Sequence, residues 1–217
     1  ELLQVLDVAD QLKLEQHRGQ PHRLLEGRTL GMIFQKPSMR TRISLETGMF
    51  QLGGHAIYLA PTDIGLGQRE TTEDIAIVIS RYCDLVMARV FGHGIVEEMA
   101  LHATVPVING LSDKEHPCQI LADLQTIREK KQTLRGLKIV YTGDGNNIAH
   151  SLMYAAGQLG LDVVIVTPPG FEPDATVLDE SKFLAHDSGG SVEATTDLQA
   201  AAQDADVIYT DVWASMG

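Results

Sequence analysis

Cysteine is nearly absent from this chain. Cys83 and Cys118 are the two that occur in 217 residues, and they form neither a Cys-x-x-Cys pair nor a disulfide framework. A disulfide-stapled secreted scaffold is therefore excluded, and a reducing cytoplasm is the expected compartment. Positive charge is scarce too: 17 Lys and Arg against 29 Asp and Glu leave a net charge of −12. That balance argues against a general nucleic-acid binder or a membrane-surface binder, yet a local arginine cluster can still hold an anion. No apolar run is long enough to cross a bilayer, no signal-peptide pattern stands at Glu1, and there is no internal repeat or low-complexity tract. What remains is ordinary for a globular chain, with 44% hydrophobic and 21% charged residues, enough for one large or two small domains. Both ends are expected to be cut. Glu1 opens inside a helical pattern (Leu2, Leu3, Val5, Leu6, Val8), and Gly217 follows a strand and a turn.

Apolar runs of strand length alternate with helical patterns throughout. Strands are expected at 28–34, 55–59, 85–90, 105–109, 137–142, 162–167, 191–194 and 206–210. Helices are expected at 1–19, 39–52, 71–82, 94–102, 117–130, 148–159, 174–187 and 197–202. On 39–52, Ile43, Met49, Phe50 and Leu52 are available to pack, and on 71–82, Ile75, Val78 and Ile79 share a face. Residues 61–70 read as a loop from their Pro and Gly content. The alternation predicts an α/β fold: two doubly wound parallel-sheet domains, 1–123 and 124–217, joined by interdomain helices, with the junction along the 117–130 helix. Ligands of such sheets sit beyond the carboxyl ends of the strands.

The stretch that organises the chain is Ser38-Met39-Arg40-Thr41-Arg42. The apolar run ending at Phe34 is broken by Gln35-Lys36-Pro37, and Ser38 falls where a helix N-cap belongs. A strand, a tight loop and an exposed helix start bring free backbone N–H groups and the positive end of a helix dipole to one point. Ser38 and Thr41 add hydroxyls, and Arg40 and Arg42 add guanidinium forks suited to phosphate. A lone Ser-x-Arg is usually a capped helix with a solvated arginine. Two arginines and two hydroxyls at one junction point to phosphate.

The other chemistry-bearing residues fall at expected strand ends or helix starts. Arg89 closes the 85–90 strand. His116 and Gln119, three apart at a helix start, share a face and together can donate to a carbonyl oxygen and accept from an amide. The plain reading of His116 is a helix-capping histidine. Gly143-Asp-Gly-Asn-Asn147 carries the first two glycines of a dinucleotide fingerprint, but His150-Ser151 stands where the third would be. Asn147 is the alternative there, facing a small polar ligand. Asp211 at a strand end can pair with an amine, and Ser215 and the backbone near Gly217 can present N–H groups to a carboxylate. A surface turn competes for this stretch. Cys83 and Cys118 read as packed thiols.

Together these residues resemble the aspartate/ornithine transcarbamoylase family over nearly the whole chain. The likeness rests on Ser38–Arg42, Ala88-Arg89-Val90, His116–Gln119 with the following Ile-Leu-Ala-Asp, Gly143–Asn147 and Asp211–Gly217. Asp-x-Trp-x-Ser-Met-Gly is the part similar to the ornithine members and not to the aspartate ones. The resemblance implies two domains, for carbamoyl phosphate and for the amino acid, with the active site between them. It implies a homotrimer or a multiple of trimers, no metal and no organic cofactor. Its implied reaction moves the carbamoyl group of carbamoyl phosphate to the side-chain amine of L-ornithine, giving L-citrulline and phosphate, in arginine biosynthesis or the urea cycle.

By the same resemblance, Ser38, Met39, Arg40, Thr41 and Arg42 hold the phosphate. Arg89 and His116 hold the carbamoyl oxygen, and Gln119 the carbamoyl nitrogen; these three and Arg40 are the implied catalytic residues. Asn147, Asp211, Ser215 and Met216 hold ornithine. Two departures stand out. Gly65 occupies a place where relatives often carry a glutamine that reaches a neighbouring subunit, and the family's later His-Cys-Leu-Pro segment and arginine are not in this sequence. Three other readings stay open: a transcarbamoylase for putrescine or an acylated ornithine, a non-catalytic Rossmann-type binding module, and a binding-only paralogue.

Overall fold

The computed structural model describes residues 1–66 and 69–211. The chain forms two compact units, one of residues 7–113 and the other of residues 1–6 with the chain from Lys114 onward. Helix α1 (Leu2–His17) starts in the second of these and continues in the first. Position 123, the boundary expected from sequence, lies within α6 (Pro117–Lys131), which belongs wholly to the later unit.

In the 7–113 unit, strands β1 (Thr29–Phe34), β2 (His55–Leu59), β3 (Leu85–Arg89) and β4 (Val107–Leu111) form one parallel sheet in the order β2-β1-β3-β4. β1 is central and apolar on both sides because both of its faces are covered. Leu30, Met32 and Phe34 pack with Met49 of α2 (Met39–Gln51). Ile33 points the other way, to Ile75 and Ile79 of α4 (Thr72–Ile79) and Val96 and Met99 of α5 (His93–His102).

Three expectations for this unit change. On α2, Ile43 and Phe50 lie at 55% and 80% exposure: a helix covering a sheet buries one stripe, and Met49 occupies it. Val78 is likewise exposed, while Ala76 joins Ile75 and Ile79 inside. Residues 61–70 are not loop throughout. Pro61–Ile64 form a helical turn, α3, with proline at its start and the Asp63 carboxylate accepting from Ala60 N–H at 2.8 Å. Proline suits a first helical turn because its missing N–H is not needed there. Beyond it, Leu66 bridges to Glu70.

The later unit repeats the plan. Strands β5 (Lys138–Thr142), β6 (Asp162–Val166), β7 (Ser191–Thr195) and β8 (Val207–Thr210) form a parallel sheet in the order β7-β6-β5-β8. Helices α6, α7 (Asn147–Leu159), α8 (Ala175–Ser188) and α9 (Leu198–Ala202) flank it. Its core gathers Leu124, Ile139, Tyr141, Leu152, Met153 and Val163 among others. The expected α/β class with parallel sheets is met in both units. Among the described residues, no helix is long and apolar enough to cross a membrane.

Candidate functional site

In each sheet the strand order reverses once, and in open α/β sheets ligands bind at such a reversal, beyond the carboxyl ends of the strands. In the 7–113 unit the reversal falls between β1 and β3. Ser38 follows β1, and Arg89 ends β3. Ser38 is the N-cap of α2, with extended backbone (φ −152°, ψ 112°); its hydroxyl accepts from Thr41 N–H at 3.4 Å and lies 3.0 Å from Thr41 Oγ1. The loop between them is stitched to the end of β3. Gln35 N–H donates to the Arg89 carbonyl at 2.8 Å, Phe91 N–H donates to Gln35 Oε1 at 2.9 Å, and Lys36 Nζ sits 4.7 Å from the centre of the Phe91 ring.

Arg89 is half-buried. Burial, and then the charge of Arg40, hold its guanidinium below the usual arginine range. Arg40, in the first turn of α2, and Arg89, at the end of β3, thus stand at the same sheet reversal, where a helix start presents backbone N–H groups. Met39 and Arg40 are exposed. Arg42 is already engaged, with Nε 2.8 Å from Glu46 Oε1 and its guanidinium 4.0 Å from the Tyr58 ring centre. The contact to Glu46 uses Nε alone, one of the five N–H donors of a guanidinium. A cavity of about 620 Å³ opens nearby, lined by Phe34, Gln35, Thr62, Gly65, Arg69 and Phe91. Gly65 adopts φ +60°, and a Cβ there would lie 2.9 Å from Arg69 Cβ.

In the later unit, His116 occupies the N-cap position of α6, but its side chain makes no capping hydrogen bond. Its backbone N–H donates to Ser151 Oγ at 2.8 Å. His150 holds the same segment: its Nδ1 lies 2.9 Å from the Lys114 carbonyl, and its Nε2 accepts from Asp174 N–H at 3.1 Å. Both residues are buried on α7. His150-Ser151 is thus an anchor for the strand-to-helix turn that carries His116, a role sequence reasoning missed. The missing third glycine was the one signal available.

Gln119 stands in the first turn of α6. Its Nε2 donates to Asp123 Oδ1 at 3.1 Å, and Tyr209 O–H donates to Asp123 Oδ2 at 2.8 Å. Burial pushes the Asp123 carboxyl up, the two hydrogen bonds pull it down, and the charge of Asp211 adds to the upward push. Of the two thiols expected to be packed, Cys83 is buried, but Cys118 is exposed in the first turn of α6, a position that faces away from the core.

The reversal of this sheet falls between β5 and β8, so the Gly143–Asn147 loop and Asp211 follow the two strands that flank it. Asn146 caps α7, accepting from Ile148 N–H at 2.9 Å, and Asn147 takes the first helical position. Gly145 N–H donates to the Phe171 carbonyl at 2.9 Å, and a Cβ at Gly145 would stand 2.3 Å from Pro173 N. The second glycine of the fingerprint therefore makes room for the chain's own backbone, which occupies the approach a pyrophosphate would need. Ser215 and Met216 lie outside the described residues. Among those described, no group of three or more His, Cys, Asp or Glu gathers as a metal site.

Comparison with known proteins gives the family. Residues 1–129 match the family model for the aspartate/ornithine carbamoyltransferase carbamoyl-P binding domain, and residues 135–217 match that for the Asp/Orn binding domain. A curated relative, the anabolic ornithine carbamoyltransferase of Pyrococcus furiosus, is 58% identical over all 217 residues, which span 69% of its length. The solved structure of the ornithine carbamoyltransferase from the same organism aligns over the whole chain with a TM-score of 0.97. The ornithine carbamoyltransferase from Thermus thermophilus aligns over 98% of this chain and 70% of its own, with 44% identity and a TM-score of 0.88. With both halves of the chain matched by the family's models and a relative 58% identical over all 217 residues, the chain belongs to the aspartate/ornithine carbamoyltransferase family.

Proposed function

We infer that the protein transfers the carbamoyl group of carbamoyl phosphate to the side-chain amine of L-ornithine, giving L-citrulline and phosphate. The observation that carries this is the meeting of the Ser38 helix start with Arg40 and Arg89 at the β1/β3 reversal, in a chain 58% identical to ornithine carbamoyltransferases. We assign the phosphate to the start of α2, held by Ser38, the Met39 backbone, Arg40, Thr41 and Arg42, the last anchored through its Nε on Glu46. A phosphate between Arg40 and Arg89 relieves their mutual repulsion, and bidentate guanidinium contacts suit its geometry.

Arg89 and His116 hold the carbamoyl oxygen and stabilise the negative charge that develops as the tetrahedral intermediate forms. Gln119 holds the carbamoyl nitrogen. The attacking amine of ornithine has an ordinary pKa of about 10, like lysine, so nearby cations and desolvation must favour its neutral form. Asn147, Asp211, Ser215 and Met216 hold the amino-acid end. Carbon–nitrogen bond formation expels phosphate, and much of the acceleration comes from positioning two small substrates. We assign the biosynthetic direction, a cytoplasmic location and a trimer or multiple of trimers.

The test is citrulline formation by the full-length protein, wild type beside Arg40→Ala. Activity that requires ornithine and falls by about a hundredfold or more in the variant supports the assignment; removal of one transition-state donor has effects of that order. Unchanged activity in the variant refutes the phosphate site. Preference for putrescine or an acylated ornithine refutes the choice of ornithine.

A further inference from the structure

Gln119 can hold a carbamoyl nitrogen only if it presents the right end of its amide. The carbamoyl –NH₂ is a donor, so the side chain must offer Oε1 and not Nε2. The two ends are nearly isosteric, and an exposed glutamine on a helix start has no preference of its own between them. Something must choose. Four residues on, Asp123 Oδ1 accepts a hydrogen bond from Gln119 Nε2 at 3.1 Å. An ionised carboxylate only accepts, so it turns Nε2 toward itself and leaves Oε1 facing outward.

Asp123 is itself held from a second element. Tyr209 on β8 donates its hydroxyl to the other carboxylate oxygen at 2.8 Å. The Tyr209 ring stacks on Tyr141 of β5, with centroids 5.6 Å apart. Both carboxylate oxygens are thus occupied by donors from different elements, and the tyrosine that locks them stands two residues before Asp211. The three residues lie in one compact unit.

We propose that Asp123, locked by Tyr209, is a positioning residue that sets the orientation of the Gln119 amide and so presents Oε1 to the carbamoyl nitrogen. The proposal rests on the role given to Gln119 above. It explains why an aspartate and not an asparagine suits position 123. An asparagine offers an acceptor at one end and a donor at the other, so it can meet Gln119 with either and no longer fixes which end of the Gln119 amide faces outward.

The experiment is a double-mutant cycle on the full-length protein, reading kcat, the KM for carbamoyl phosphate, competitive inhibition by inorganic phosphate, and Tm. Asp123→Asn is expected to lower kcat by roughly tenfold or more, the scale that a small misplacement of a positioned group commands. Phosphate inhibition and Tm stay close to wild type, because the phosphate loop and the fold are untouched. In a Gln119→Ala background the same substitution is expected to change kcat by less than about twofold, since a positioning residue has nothing left to position. If Asp123→Asn does not fold, Tyr209→Phe keeps the stacked ring, removes the locking donor and serves in the same cycle. An equal loss from Asp123→Asn with and without Gln119 overturns the proposal, as does a fully active Asp123→Asn. A fully active Gln119→Ala overturns the role of Gln119 itself, a result distinct from an active-site glutamine that Asp123 does not govern.

Discussion

The bond from His116 N–H to Ser151 Oγ offers a perturbation whose size can be worked out. Ser151 is 4% exposed, and the bond is 2.8 Å long. Replacing Ser151 with Ala deletes one oxygen and leaves a backbone donor without its acceptor at the N-cap of α6. A neutral hydrogen bond contributes about 0.5–1.5 kcal/mol net, and a buried donor left unsatisfied costs about 1–3 kcal/mol. His116 is half-buried, so water recovers part of that loss, and about 1–2 kcal/mol is expected. For a chain of this size each kcal/mol moves Tm by about 2–4 °C, so thermal unfolding should shift down by about 2–8 °C. The His116 segment should also loosen, so kcat for citrulline formation falls while inhibition by inorganic phosphate holds. Ser181→Ala is the control. Ser181 is fully buried, and its hydroxyl has no hydrogen-bond partner among the described residues. Its loss is expected to be neutral or slightly stabilising, because it removes an unpaired polar group from the interior. If Ser151→Ala shifts Tm no more than Ser181→Ala and leaves kcat unchanged, the anchoring of His116 by Ser151 is refuted.

Two further outcomes are expected. Gly145→Ala places a methyl 2.3 Å from Pro173 N and 2.6 Å from Glu172 C; these are backbone atoms that cannot rotate aside, so overpacking costs about 1–3 kcal/mol. The α7 start should shift and the KM for ornithine rise more than that for carbamoyl phosphate, which parallel kinetics on both substrates will check. Asp84 is held below the ordinary carboxylate value of 3.8, first by its hydrogen bond from Arg28 and then by Thr29 N–H. A depressed folded-state pKa gives stability that is present above the unfolded value and lost as pH falls through the folded one. The stability gap between wild type and Asp84→Asn should therefore be constant near neutrality and shrink below pH 3.8, as urea titrations across that range will show.

The Ser38 cap was legible because its partner, Thr41, stands three residues away. The same holds for α4, where Thr71 accepts from Asp74 N–H. Element order was legible for a related reason: a strand buried on both faces reads as an apolar run, as β1 and β3 do, and β5 keeps one of three residues, Ile139 to Tyr141. The helix faces were harder. Ile43, Phe50 and Val78 are apolar yet exposed, because hydrophobicity alone does not say which stripe meets the sheet. Pro61 misled in the opposite direction, since a helix breaker in mid-element is a helix starter at the first position.

By itself the sequence determined the alternation of strands and helices, the caps, and the residue types gathered at strand ends. Each depends on neighbours within about one helical turn or on a period of two along a strand. Only the tertiary structure decided what those ends meet. The order β2-β1-β3-β4 sets the Ser38 loop beside Arg89, and the order β7-β6-β5-β8 sets Gly143–Asn147 and Asp211 at the flanks of one reversal. The partners of His116, Gln119 and Gly145, which are Ser151, Asp123 with Tyr209, and the 171–173 backbone, follow from packing. Strand order is a property of how whole elements pair and pack, and no local pattern of side chains encodes it.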